Sequence, residues 1–207
     1  MKQIMKWGLL LLVCCTLLRG TEVNALATSA KEIVKPGTCG TNVTWTLDAS
    51  DVPTISGSGK MKNYSAYSLA PWPNDIKEVV IESGVTTIGS STFEWCSNLT
   101  QVTIPDTVTE IRASAFERCT SLAGIVLPSK LTLLGDHAFD FCTSLKEIQL
   151  PETVKSIGER TFYDCRRLNG ISIPAGVTSI GSYAFQGCWK LKAIDVHPDN
   201  QHYLPLT

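Results

Sequence analysis

Residues 99–121 read Leu-Thr-Gln-Val-Thr-Ile-Pro-Asp-Thr-Val-Thr-Glu-Ile-Arg-Ala-Ser-Ala-Phe-Glu-Arg-Cys-Thr-Ser, and this stretch decides the fold because it recurs along the chain. A phenylalanine and a cysteine return with a period of 23 residues, at Phe93, Phe116, Phe139, Phe162, Phe185 and at Cys96, Cys119, Cys142, Cys165, Cys188. Self-similarity at such a period indicates a repeat protein. Five full units span 76–98, 99–121, 122–144, 145–167 and 168–190, and a partial sixth begins at Leu191.

Each unit contains two extended segments and a compact turn. The pattern L-x-x-V-x-I alternates apolar and polar residues, which predicts a strand with one buried face. A proline such as Pro105 ends this strand, and V-x-x-I predicts a second short extended segment. The A-F-x-x-C motif places Phe and Cys three positions apart, which predicts a short helical turn. One unit buries too little apolar surface to fold alone, so stacked units should form a solenoid with a continuous parallel sheet along one face.

The unit resembles the BspA-type leucine-rich repeat, whose pattern is L-x-x-I-x-I-P-x-x-V-x-x-I-G-x-x-A-F-x-x-C. The segments Gly37–Gly40, Trp45–Leu47, Ile55–Gly59 and Ala70–Trp72 also resemble the region that precedes such repeats in bacterial cell-surface proteins. The resemblance implies an α/β-type repeat solenoid that is mostly β, right-handed and curved, with parallel strands and short helical turns, preceded by a small β N-terminal cap. It also implies partner binding, and it offers no catalytic residues to transfer.

The chain begins with a segment typical of a secretory signal peptide. Lys2 and Lys6 precede an apolar run over Trp7–Leu18, and Ala25–Ala27 supplies the small residues of a cleavage site. The apolar run is shorter than the ~20 residues that a membrane span requires. We therefore expect a signal peptide over 1–27, secretion or display at the cell surface, and no membrane span after cleavage.

The remaining segments surround the repeats. Residues 28–36 are small and polar and predict a flexible leader, whereas 37–75 predict an N-terminal cap over the open end of the solenoid. The repeat solenoid is expected over 76–196. The tail 197–207 departs from the repeat pattern: either it folds back as a poor cap, or the chain is the front part of a longer protein.

The predicted cap contains a candidate hairpin and a set of aromatic residues. Val43–Leu47 and Thr54–Ser56 alternate in hydropathy on either side of the turn 48–51, which predicts antiparallel pairing. Four aromatic residues are expected to fill the cap core rather than to form a sugar-binding platform: Trp45, Tyr64, Tyr67 and Trp72.

Charge and motifs exclude several function classes. Removing 1–27 takes away three basic residues and one acidic residue, so the formal net charge changes from −1 to −3. This balance gives no footprint for nucleic acid or an anionic membrane. The chain has no phosphate-binding loop, dinucleotide fingerprint, metalloprotease motif or nucleophile elbow. We therefore expect no cofactor and no enzymatic activity.

The cysteines and histidines offer little metal or thiol chemistry. Five thiols at a fixed period should point in parallel and converge on no tetrahedral site, and they predict a stack of buried, reduced side chains. Cys39 lies outside this stack. His137 is expected on the surface, and no metal site is expected.

The solvent side of the predicted strands is the candidate binding surface, because its residues differ between units while the inward residues stay constant. The candidate binding residues are Glu78, Val80, Gln101, Thr103, Val126, Glu147, Gln149, Ser172 and Asp195. Asp140, Asp164 and Gln186, on the turn side, are expected to be exposed and free of such a role.

These observations predict a secreted or cell-surface protein–protein interaction module, such as an adhesin, that binds a protein partner through its strand face. Two alternatives remain open at this point. The array is a passive spacer in a larger surface protein, or a carbohydrate-binding module resides in the N-terminal segment.

Overall fold

The computed structural model describes residues 33–65 and 67–203. The predicted signal peptide and most of the predicted leader lie outside these residues. The described part contains no helix and thirteen strands: β1 (Ile33–Thr38), β2 (Val43–Asp48), β3 (Pro53–Gly57), β4 (Gly59–Lys60), β5 (Glu78–Ile81), β6 (Val85–Ile88), β7 (Gln101–Thr103), β8 (Glu110–Ile111), β9 (Leu133–Leu134), β10 (Ser156–Ile157), β11 (Ile171–Ile173), β12 (Ser179–Ile180) and β13 (Ile194–Val196).

The N-terminal cap is an antiparallel meander that joins the repeats through a parallel pair. The predicted hairpin is present, since β2 and β3 pair with Trp45 opposite Ile55. On the far side, β3 pairs with β5 in parallel, which continues the repeat sheet into the cap. The meander starts earlier than expected, because β1 begins at Ile33, inside the predicted leader, and pairs with β2. Lys35 helps to hold β1, with its ammonium group 5.6 Å from the centroid of the Trp45 ring.

The repeats form two ladders of parallel strands, the first from the L-x-x-V-x-I segments and the second from the V-x-x-I segments. Only the second ladder is continuous. The V-x-x-I segments build a six-stranded sheet in the order β12-β10-β9-β8-β6-β4. The L-x-x-V-x-I segments pair as β5-β7 near the cap and as β11-β13 near the other end. Between these pairs the ladder contracts to a single bridge, Gly124 to Glu147. The predicted continuous parallel sheet is therefore present, but the V-x-x-I segments form it, and the L-x-x-V-x-I ladder is interrupted.

The A-F-x-x-C segments form hydrogen-bonded turns, so the expected helical element is reduced to a single turn. The Cys119 amide donates to the Phe116 carbonyl at 3.2 Å, and the equivalent bond recurs in the other units. The remaining amides do not continue a helix but donate to the next unit, as from Phe116 N to Ala138 O at 2.9 Å. Two residues per unit take left-handed backbone conformations to aim these groups, in the columns Ser91, Ser114, His137, Arg160, Tyr183 and Trp95, Arg118, Phe141, Asp164, Gly187.

A column of stacked aromatic rings runs through the core. Phe93, Phe116, Phe139 and Phe162 are fully buried, and successive Phe ring centroids from Phe93 to Phe185 lie 5.4–5.7 Å apart with nearly parallel planes. Trp72 extends the column into the cap at 5.3 Å from Phe93.

The cap aromatics are core residues, with one exception. Trp45, Tyr64 and Trp72 are buried, as predicted. The prediction for Tyr67 is wrong, since its side chain is fully exposed. Tyr67 lies in a tight turn closed by reciprocal backbone hydrogen bonds between Ser65 and Ser68, and this turn holds it away from the cap core.

The cysteine column is tied to the phenylalanine column by weak hydrogen bonds. The Cys142 thiol donates to the Phe116 carbonyl of the preceding unit at 3.2 Å, and Cys119, Cys165 and Cys188 make the same contact. Because the thiol is small and also a donor, it fills the space beneath the turn and satisfies a buried carbonyl. This explains why cysteine rather than alanine recurs there.

The C-terminal tail packs onto the last full unit. Asn200 lies 23 residues after Val177, in the position that Val or Leu occupies in the earlier units, and it is fully buried. Its amide group donates to Pro174 O at 2.8 Å and to Val177 O at 3.0 Å. Its side-chain oxygen accepts hydrogen bonds from the amides of His202 and Tyr203. The tail therefore continues the register of the repeats, with a buried, hydrogen-bonded asparagine in place of Val or Leu.

Candidate binding surface

The strand-face residues predicted from the alternation point outward. Glu78 and Val80 are half-buried beside Gln101 and Thr103, their register partners. Ser172 lies opposite Asp195 in the β11–β13 pair, and both are exposed. The other three, Val126, Glu147 and Gln149, are exposed as well. The predicted residues thus lie on one face. They are paired across strands near its two ends, and three of them lie together in its middle.

A groove of about 440 Å³ opens in the middle of this face, where the strand pairing is broken. Val102 and Ile125, which occupy inward positions of their units, are only half-buried there, whereas the equivalent Val79 and Ile171 are buried. The groove is lined by Thr100, Gln101, Val102, Gly124, Ile125, Val126, Leu127, Glu147, Ile148 and Gln149.

The groove combines an apolar floor with a polar edge. Val102, Ile125 and Leu127 supply the floor, and Val126 stands beside them with 83 % of its surface exposed. Gly124 faces open space, since a Cβ atom there would meet no atom within 4 Å. Glycine weakens a strand and supplies no side chain to cover it. Gly124 is therefore a sequence signal that agrees with an opening at this point.

The polar edge of the groove can orient a partner by hydrogen bonding. It consists of the amides of Gln101 and Gln149 and the carboxylate of Glu147. The Gln101 amide also donates to the Glu78 carboxylate at 3.4 Å, which links the groove to the cap-proximal part of the face.

The turn side is not the inert surface that the sequence predicted. Asp140 and Asp164, expected to be exposed, are buried, while Gln186 is exposed as expected. The Asp140 carboxylate lies 2.8 Å from His137 Nδ1 and accepts from Arg160 Nε at 3.3 Å. His137 is accordingly half-buried rather than exposed. The left-handed residues of each turn aim these side chains inward, which helical spacing does not anticipate.

Stacked arginines and clustered carboxylates complete the turn side. The Arg118 guanidinium lies 4.3 Å from the centroid of Trp95 and 4.4 Å from that of Phe141, so the two rings enclose it. Burial raises the pKa of the nearby Glu117 carboxyl, and repulsion from Glu94 adds to this effect. These contacts stabilise the turns rather than create an open site.

The thiols are buried, and their ionisation is suppressed. Burial raises the pKa of Cys39 and Cys96 to about 12 and that of Cys188 to about 11. Burial also raises the pKa of the central thiols, Cys119, Cys142 and Cys165, well above its ordinary value. All six cysteines of the described residues are free. A neutral, buried thiol is a poor nucleophile and a poor metal ligand, so the column has a structural role.

In residues 33–65 and 67–203, no three His, Cys, Asp or Glu side chains are grouped closely enough to hold a metal ion. In the same part of the chain, no helix is long and apolar enough to cross a membrane.

Comparison with known families identifies the repeat. The model of the BspA type leucine rich repeat region matches residues 66–199 in six copies, which is more than half of the chain. The chain belongs to the BspA-type leucine-rich repeat family. No curated protein matches it.

Solved structures of leucine-rich repeat proteins resemble the BspA-type array. A leucine-rich repeat protein from Eubacterium ventriosum is 28 % identical, with a TM-score of 0.69 over 81 % of this chain and 45 % of that one. A leucine rich cell surface protein from Faecalibacterium prausnitzii is 28 % identical, with a TM-score of 0.55 over 81 % and 55 %. The T. pallidum leucine rich repeat protein is 26 % identical, with a TM-score of 0.52 over 71 % and 86 %. The chain thus spans about half the length of the first two proteins.

Proposed function

We propose that the protein is a secreted or cell-surface interaction module without enzymatic activity, and that it binds a protein partner through its strand face. The observation that carries this proposal is the groove at the break in the first ladder, with the exposed Val126 at its side. The likeness to a bacterial cell surface protein supports the location, as does the signal-peptide pattern at the start of the sequence.

The chemistry of the groove fits a protein partner. Protein interfaces combine an apolar centre, which releases water on binding, with a polar rim that fixes orientation. Val126 and the floor beside it supply the centre, and Gln101, Glu147 and Gln149 supply the rim. Affinity in such interfaces concentrates in a few central residues. We therefore expect the residues around the groove to dominate binding.

The test changes the groove without changing the core. The triple variant Val126→Lys, Glu147→Lys and Gln149→Lys places three cations at the groove, and none of these side chains faces the core. Intact protein and variant are immobilised and exposed to host-cell or bacterial-surface extract, and the captured proteins are quantified by mass spectrometry. We expect at least one protein to be captured by the intact chain and to be lost about tenfold or more from the variant.

The control must carry the same change in charge at another surface. Glu152→Lys, Ser182→Lys and Gln186→Lys change the net charge by the same four units, at side chains that are exposed. If both triple variants capture the same proteins as the intact chain, the strand face is not the binding surface. If the intact chain captures nothing, the passive-spacer function is favoured instead. Burial of three of the four cap aromatics argues against a sugar-binding platform in the cap.

A further inference from the structure

One corner of the solenoid has a charge character that the near-neutral total conceals. Three positions of each unit lie where the turn passes into the first strand: the two residues after the cysteine and the residue after the following leucine. We call this set the Cys–Leu corner. Its fifteen members are Ser97, Asn98, Thr100, Thr120, Ser121, Ala123, Thr143, Ser144, Lys146, Arg166, Arg167, Asn169, Trp189, Lys190 and Lys192.

These fifteen residues include no acidic side chain, and their cations lie in the last three units; the equivalent post-leucine position of the first unit, beside the cap, is Lys77. The first six positions are neutral. The basic end carries five exposed cations, Lys146, Arg166, Arg167, Lys190 and Lys192. Of these, Arg166 has an acidic partner, since its Nη2 donates to Asp164 at 2.7 Å. Within residues 33–65 and 67–203, the other four cations have no ion-pair partner.

An exposed aromatic ring lies within the same cluster. Trp189 is 77 % exposed, more than the other described tryptophans. The Arg166 guanidinium lies 5.3 Å from its ring centroid, which steadies the ring but leaves most of its surface open. Trp189 therefore presents a largely open indole face beside the exposed cations of the last units.

The solenoid holds these cations in a regular row. Backbone hydrogen bonds from Asn169 N to Lys146 O at 3.0 Å and from Lys192 N to Asn169 O at 3.1 Å align the post-leucine residues of three units. Successive parallel strands are about 4.8 Å apart, so Lys146 and Lys192 begin roughly 10 Å apart on the backbone, and Arg167 and Lys190 about 5 Å apart. Like charges held at such spacings repel each other, so the row does not stabilise the fold.

We propose that the basic end of the Cys–Leu corner binds a linear anionic polysaccharide, sulfated or carboxylated, lying along the solenoid axis. A polymer with a charge on each repeat matches cations displayed at a fixed step. Lys and Arg contact its anionic groups, and Trp189 packs against the apolar face of a sugar ring. The chain's overall negative charge gives little long-range attraction, so binding depends on these local contacts and weakens with added salt.

The repeats themselves supply substitutions for the test. The variant Arg167→Ser, Lys190→Ser and Lys192→Asn introduces residues that other units carry at the same corner positions, as at Ser144 and Asn169. The matched control removes three exposed cations elsewhere, at Lys62, Lys130 and Lys155, by changing each to Asn. Far-UV circular dichroism and thermal midpoints of both variants verify that the fold is retained.

The probes are heparin as a sulfated chain, alginate as a carboxylated chain and dextran as a neutral chain. We expect heparin or alginate to bind the intact protein, and the corner variant to bind about tenfold or more weakly. The control variant should bind the polysaccharide as tightly as the intact protein does. Dextran should not bind the intact protein. Trp189→Thr, again a residue of other units, should weaken binding and abolish the change in tryptophan fluorescence that accompanies it.

Three results would overturn the proposal. The first is that neither polysaccharide binds the intact protein. The second is that both triple variants lose affinity equally. The third is that polyglutamate and anionic phospholipid vesicles bind as tightly as the polysaccharides and do so without Trp189, which would make the corner a general polyanion surface. None of these results depends on the groove variant of the strand face, so the two surfaces are tested separately.

Discussion

Removing the ring of Phe139 should destabilise the protein more than almost any other single truncation. Phe139 is fully buried and stacks on Phe116 at 5.4 Å and on Phe162 at 5.7 Å. Truncating a buried phenylalanine to alanine costs about 3–5 kcal/mol, and each lost aromatic pair accounts for ~0.5–1.5 kcal/mol of such a cost. With neighbours on both faces, Phe139→Ala should lie in the upper half of that range.

Phe185, at the end of the column, provides a matched truncation with one stacking neighbour instead of two. Phe185 is half-buried and, among the described rings, stacks on Phe162 alone. Phe185→Ala should therefore cost clearly less, about 1–3 kcal/mol. The free energy of unfolding is measured by urea denaturation followed by circular dichroism. A loss below ~1 kcal/mol for Phe139→Ala, or a loss no larger than that for Phe185→Ala, would refute the view that the column is continuous core.

The remaining predictions concern the thiols and the tail. Burial raises the pKa of the folded thiols, as for Cys96 to about 12, so an unfolded thiol with pKa ~8.5 loses its proton first as pH rises. The free energy of unfolding should be undiminished by this effect below pH ~8.5 and should fall above it by ~1.4 kcal/mol per pH unit for each buried thiol. Urea titrations between pH 8 and pH 10.5 should show a shallower fall for Cys142→Ala, and an unchanged slope would contradict this. Asn200→Ala removes four hydrogen bonds and should cost ~2–4 kcal/mol. Amide exchange should then accelerate at Ile180 but not at Val102, and uniform acceleration would count against a local role.

The repeat register is readable from the sequence because its signals are local and redundant. The periodic Phe and Cys fix the unit length, and the alternation in L-x-x-V-x-I fixes which side chains face the core. The structure agrees on both points, since Leu99 and Phe116 are buried while Gln101 and Thr103 are exposed. The same alternation in the cap predicts the β2–β3 hairpin.

The break in the first ladder is harder to foresee because it depends on how neighbouring units separate. The third and fourth units carry the same apolar pattern as the others, so periodicity alone predicts pairing throughout. Gly124 is the local clue, but Gly170 occupies the same position in a unit whose strand β11 is intact. The groove thus arises from packing between units, which one unit's sequence does not specify.

The form of the turns likewise depends on contacts between units. A spacing of three between Phe and Cys fits both a helical turn and an isolated hydrogen-bonded turn. The structure takes the second form, because the turn amides find acceptors in the next unit, as Arg118 N does at Asp140 O. The left-handed residues that this requires also bury Asp140, which the sequence shows only as a polar residue between Phe139 and Cys142. Counting 23 residues from Val177, by contrast, does locate Asn200.

The constant separation of bonded partners has a consequence for how the chain reaches its native state. Side-chain hydrogen bonds between coils join residues about one unit apart, as from Thr132 to Thr109 at a separation of 23 and from Cys142 to Phe116 at 26. The entropy lost in closing a loop depends on its length, so docking each new unit costs the same wherever it occurs. Once two adjacent units have paired, growth can proceed in either direction. An array lengthened by duplication of units would gain residues without gaining distant contacts, and its rate-limiting step would stay that of the first pair.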